Sequence, residues 1–224
     1  MTPPGTDGPP PAREGAADAE RGRTLASGGP PADPRAVEPR ADVRRRDRAK
    51  DEAWIRSFIR AAHLGFLATL DEEERQPFLN SNLYVFDESR HCLYLHTHRT
   101  GRTRDNVLGH DRVAFAVAAM GRLLPAAEAL EFSVEYASVV VFGRGRILND
   151  PEECRHALRL LLEKYAPHLR YGEDYREVTP HELSRTAVYR VDVEAWSGKQ
   201  KEVAPDFPGA FELPPLPVPF PRRS

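Results

Sequence analysis

Residues 65–97 run GFLATL (65–70), DEEERQP (71–77), FLNSNLYVF (78–86), DESR (87–90) and HCLYLHT (91–97). Three apolar, aromatic-rich runs joined by short polar stretches are the pattern of an antiparallel meander. Working outward, RVAFAVAAM (112–120) and YASVVVFGRGRIL (136–148) predict a fourth and a fifth strand. In the fifth, Val139 and Val141 give way to Arg144 and Arg146, as in a strand that leaves a core for solvent. TAVYRVDVEAW (186–196) supplies a sixth, carrying Val188, Tyr189, Val191 and Val193. Two helices stand beside them. Trp54, Ile55, Phe58, Ile59 and Ala62 share one face of residues 51–63. Asp150 is placed to cap a helix reaching Tyr165, with Pro151 at its first position and Glu153 positioned for a capping box. Six strands, two or three helices and no βαβ rhythm predict a mostly β fold, a small barrel with flanking helices.

Composition narrows the function classes. The formal net charge is −2, so no charge imbalance points to nucleic acid or an anionic membrane as partner. No apolar run approaches the roughly 18 residues of a membrane span. The N-terminal residues carry no signal-like apolar stretch. Cys92 and Cys154 have neither metal spacing nor the look of a disulfide framework, and the expected compartment is a reducing cytoplasm. Of 21 prolines, nine fall in residues 3–39 and seven in 205–221, and the first 50 residues contain no aromatic side chain. Such ends cannot bury enough apolar surface to offset their ordering entropy. The expected organisation is a Pro/Ala/Gly/Arg-rich tail (1–50), one domain (51–203) and a Pro-rich tail (204–224). The basic run Arg44, Arg45, Arg46, Arg48 and Lys50 reads as a solvated tether, with a nucleic-acid arm as the alternative.

Chemistry concentrates in LYLHTHRTGRTRDNV (93–107), where a strand ends and a glycine turn opens a helix. Arg99, Arg102 and Arg104 lie there among the hydroxyls of Thr97, Thr100 and Thr103. Free N–H groups at a helix start, guanidinium forks and hydroxyls together suit a phosphomonoester. The alternative is a basic turn in solvent. His96 and His98 share one strand face, but no third ligand is nearby, so no metal is expected. No Ser/His/Asp or paired-carboxylate arrangement suggests hydrolysis.

The order of GFLATL, LYLHT-x-x-x-GR, RVAFAV, SVVVFGRGRI and EAWSGKQ resembles the pyridoxamine 5′-phosphate oxidase-like FMN-binding split barrels. The last two motifs are similar to that superfamily's nitroimidazole-resistance, flavin-nucleotide-binding branch. The resemblance spans about residues 43–203. It implies a six-stranded antiparallel split β-barrel and a homodimer with FMN at the subunit interface. It implies that His96 and Thr97 meet the phosphate and ribityl chain and that Gly101 and Arg102 form the phosphate turn. Thr103 stands where many relatives carry lysine. Leu79, Asn80, Ser81 and Asn82 match the strand edge along the flavin ring. Ser138 and Trp196 match positions that a partner subunit brings to the flavin; Trp196 also reads as a strand-end core aromatic. The chain continues as SGKQKEV where true pyridoxamine-phosphate oxidases carry an Arg-Leu-His segment, which argues against that substrate.

The expected function is FMN-dependent reduction of a small, nitroaromatic-class acceptor. No GxGxxG follows a strand, so NAD(P)H would bind only transiently. A non-catalytic flavin carrier or sensor is the alternative. So is the same barrel holding a deazaflavin, or a haem ligated by His96 or His98.

Overall fold

The computed structural model describes residues 41–214. The expected tail segments 1–40 and 215–224 lie outside the described residues. The elements run β1 (Ala49–Lys50), α1 (Glu52–Ala61), β2 (Gly65–Asp71), β3 (Gln76–Asn82), β4 (Tyr84–Asp87), β5 (Cys92–His98), α2 (Arg102–Gly109), β6 (Arg112–Leu124), β7 (Ser133–Ile147), α3 (Pro151–Tyr165), α4 (Pro180–Arg185) and β8 (Thr186–Lys201). The strands form one sheet in the order β3-β2-β6-β7-β8-β5-β4, with β1 paired to β8. Every named pairing is antiparallel.

The two ends of this sheet, β3 and β4, are consecutive in the chain and separated only by Leu83. A seven-strand path whose outermost strands share a one-residue link has to curl until its edges meet at that link. The product is a mostly β, split barrel with flanking helices. The strand count departs from expectation: eight strands among the described residues, not six. The 78–86 run breaks at half-exposed Leu83, where the chain exchanges pairing with β2 for pairing with β5. The other addition, β1, lies on the tail side of the boundary expected at residue 51.

Alternation decides which side chains fill the barrel. Leu67, Leu93, Phe115, Val139, Val141 and Val191 turn inward, and α1 closes the core with Ile55 and Ile59. Tyr84 meets Phe115 edge to face at 4.7 Å between ring centres. Gly65 makes that position available, since a Cβ there would lie 1.9 Å from the Phe115 ring. A second cluster forms behind β4, β5 and β8, where Val85, Cys92, Tyr94 and Val188 pack under Cys154, Ala157 and Leu161 of α3.

Asp150 caps α3 as expected, accepting from the Glu152 N–H at 3.1 Å. The expected capping role of Glu153 is not taken up. Its carboxylate turns to the sheet and accepts from Tyr94 Oη and Arg190 Nη1, both at 2.8 Å, because a half-buried guanidinium needs a counter-charge more than a helix end does. The capping box belongs instead to Thr179 and Glu182, at the start of α4, a helix not anticipated. Tyr165, at the end of α3, accepts from the Tyr84 N–H at 3.0 Å, and its hydroxyl lies 3.0 Å from the Tyr84 carbonyl.

Both domain borders carry more structure than composition suggests. Arg48 donates to Tyr136 Oη at 3.0 Å, which anchors the end of the basic run to β7. Past β8, Arg122 binds the Glu135 carboxylate and the carbonyls of Val203, Ala204 and Pro205. Leu123 and Phe211 then exchange two backbone hydrogen bonds, of 2.8 and 3.1 Å. The first part of the expected C-terminal tail is thus strapped to the β6–β7 hairpin.

Candidate cofactor site

β5 delivers the chain to His98, and a short turn leads into α2. Gly101, the N-cap, has φ 142°, a conformation that only glycine adopts without strain. A Cβ there would meet nothing within 4 Å, so the space over the turn is open. The Arg104 and Asp105 N–H groups bond back to the Gly101 carbonyl, and no side chain caps the helix. The helix start therefore presents uncapped donors and the positive end of its dipole.

Hydroxyls and an amide surround this start. Thr103 is buried and accepts from Asn80 Nδ2 of β3 at 3.3 Å. Three residues on, Asn106 Nδ2 donates to Thr69 of β2 at 2.9 Å, so α2 is riveted to both strands. Thr97 Oγ1 lies 2.9 Å from the hydroxyl of Tyr189 and donates to the His98 carbonyl. Arg102 extends over Phe78 and reaches Glu74 and Asp71 of the β2–β3 turn. Asn82 is buried, and its Oδ1 has no hydrogen-bond partner.

The expected site residues therefore divide. Gly101, Arg102, Thr103 and Asn80 come together directly. Asn82 lies on the same face of β3 as Asn80, while Leu79 and Ser81 project from the opposite, outer face. There Ser81 pairs in register with Phe66, and the face continues through Ala116 to Val140. Ser138 of β7 stands on this outer face, and its Oγ is buried without a partner. Trp196 is apart from all of these. Its ring packs edge-on against His91 and Phe86, with the Arg56 guanidinium 5.1 Å above it, at the edge of the core.

His96 and His98 point to the side of β5 opposite Thr97. His98 is engaged locally by Thr100. His96 is exposed, yet the apolar side chains beside it push its pKa down by desolvation. Those side chains belong to α3 and Leu83, which the sequence reading did not connect with His96; the second apolar stripe of α3, Leu158, Leu162 and Tyr165, was the available signal. Among the described residues no group of three or more His, Cys, Asp or Glu could hold a metal ion. No helix among them is long and apolar enough to cross a membrane.

A seam-sided antiparallel barrel with an open, uncapped helix start at its edge defines the split-barrel class. The chain belongs to the pyridoxamine 5′-phosphate oxidase family, whose pattern its residues 51–200 match. Several solved structures share the fold. A candidate 5-nitroimidazole antibiotic resistance protein of Bacteroides thetaiotaomicron is 21% identical, over 67% of this chain and 84% of its own, at TM-score 0.56. The flavocytochrome Anf3 of Azotobacter vinelandii is also 21% identical, over 82% of this chain and 89% of its own, at TM-score 0.62. A FAD- and haem-binding protein of Mycobacterium smegmatis is 19% identical, over 70% and 74%, at TM-score 0.59. No curated protein matches the chain.

Proposed function

We propose that the chain binds FMN where α2 begins beside the ends of β3 and β5, and uses it to reduce a small, nitroaromatic-class acceptor. The observation that carries this reading is the uncapped start of α2, with Gly101 open above it and Thr103 and Arg102 in its first turn. Those groups match a phosphate monoester in charge and in donor geometry. The orphaned Asn82 Oδ1 is an acceptor suited to an imide N–H of the flavin ring. The flavocytochrome and the FAD- and haem-binding protein among the structural neighbours support a flavin over an unrelated ligand.

Bound flavin would supply the hydride and electron transfer, with a nicotinamide donor visiting transiently. The chain's part is to hold the phosphate, orient the ring against β3 and exclude water. A second copy would complete the cleft through the outer sheet face, where Phe66 and Leu79 are 40% and 61% exposed beside small Ala116. An exposed apolar face of this kind favours a symmetric partner.

The absorption spectrum of the purified protein is the test. Flavin bands support the reading, and mass analysis of the released cofactor distinguishes FMN from FAD. A Soret band or a deazaflavin spectrum, with no uptake of added FMN, overturns it. Bleaching by NADPH and recovery on adding an acceptor separates a reductase from a carrier or sensor.

A further inference from the structure

Helix α3 does not lie flush on the barrel. Leu158, Leu161, Leu162 and Tyr165, with Val178, face Leu83 and His96 across a groove of about 240 Å³. Leu83 and Leu162 are 49% and 38% exposed at its mouth. No charged side chain lines it, and its one ring nitrogen donor is His96. Among the described residues the His96 ring has no hydrogen-bond partner, so its imidazole is uncommitted. Drug-sized ligands fill roughly 300–1,000 Å³, so this groove takes something smaller.

The chemistry of the walls selects the occupant. A carboxylate or phosphate would be desolvated there with no cation to receive it. An aliphatic chain would leave the imidazole unused. An aromatic body with one oxygen acceptor satisfies both the leucines and the neutral N–H. We infer that the groove binds an uncharged one- or two-ring aromatic molecule whose single carbonyl- or nitro-type oxygen accepts a hydrogen bond from His96.

His96 projects from the face of β5 opposite Thr97, so the groove lies across the sheet from the groups assigned to the flavin. Its occupant is a ligand in its own right, and its binding does not rest on the flavin reading.

Prodan, an uncharged two-ring aromatic ketone whose emission moves to the blue in apolar surroundings, is the probe. Titrated into the full-length protein, it should saturate at one per chain with blue-shifted emission. Leu162→Arg, at the groove mouth, should weaken it more than tenfold while melting temperature and flavin content hold. His96→Phe keeps an apolar wall and removes the donor, so prodan should weaken about three- to tenfold, the worth of one hydrogen bond. Ethylnaphthalene, with no oxygen, should bind both proteins alike. Naphthoate should compete at least tenfold more weakly than acetylnaphthalene. Binding indifferent to Leu162→Arg, or equal binding of naphthoate, overturns the proposal. So does binding that appears only after residues 215–224 are removed, which would assign the groove to the chain's own terminus. Absorption read on the same samples keeps the two ideas separate. Protein that binds prodan in this way but takes up no added FMN retires the flavin reading alone, and flavin-loaded protein that ignores prodan retires the groove alone.

Discussion

The guanidinium of Arg102 lies 3.3 Å from the Glu74 carboxylate and 3.6 Å from that of Asp71, so the cation beside the proposed phosphate site is already engaged. All three side chains face solvent to some degree, and such pairs are worth only about 0–1 kcal/mol. A phosphate dianion offers charge-assisted bonds of roughly 1.5–3 kcal/mol each, so it should win the exchange. Arg102→Ala is expected to weaken FMN binding about tenfold, while Glu74→Gln, which frees the guanidinium, should tighten it about two- to fivefold. Riboflavin, lacking the phosphate, should respond to neither change. Fluorescence titration of the flavin-free protein reads all three, and a matching loss for riboflavin would remove Arg102 from the phosphate.

The outer sheet face predicts assembly. Ala116 stands on β6 between Phe66 of β2 and Val140 of β7. Ala116→Arg should leave the fold intact and give a monomer in light scattering with reduced flavin content. A dimer that survives this substitution would place the interface elsewhere.

Gly143 marks the point where β7 and β8 shift register. A Cβ there would lie 2.0 Å from the Asp192 carbonyl oxygen, which is backbone and cannot rotate away. Gly143→Ala should therefore cost about 2–3 kcal/mol or more in denaturant unfolding, at the upper end for overpacking.

The strap behind β8 should respond to acid. Hydrogen bonds from Arg122, then from the Val203 N–H, hold the Glu135 carboxyl at about 2, below its usual 4.5. A carboxyl whose pKa is lowered by folding contributes in full above its unfolded value and loses that contribution as pH falls through the folded one. Hydrogen-exchange protection of the Leu123 and Phe211 amides should thus hold above pH 4.5 and collapse toward about 2. Glu135→Gln should lower it at neutral pH and remove most of its pH dependence.

Most strands were legible because alternation is local: Val139 and Val141 against Arg144 and Arg146 show their faces without any partner. The break at Leu83 was not, since nothing inside FLNSNLYVF says that its halves pair with β2 and β5 respectively. The glycine turn at Gly101 and the hydroxyls near it were readable in the sequence, where the proposed phosphate site and a basic turn in solvent stood as alternatives. The acids that hold Arg102 were not, because they belong to a turn about 30 positions away that only the β2–β3 hairpin brings near. Trp196 illustrates the same limit, as its packing on His91 and Phe86 depends on where β4 lands.

Leu83 also has a consequence for how the protein survives crowding. A split barrel leaves two unsealed borders, each able to template a strand from another molecule and seed aggregation. Both borders are blunted. β3 carries Pro77, which has no N–H to offer a foreign strand. β4 is four residues long, and the Tyr165 hydroxyl occupies the backbone of Tyr84 where an intruding strand would begin to bond. The seam is thereby kept apart from the cell's other chains by one ring and one hydroxyl.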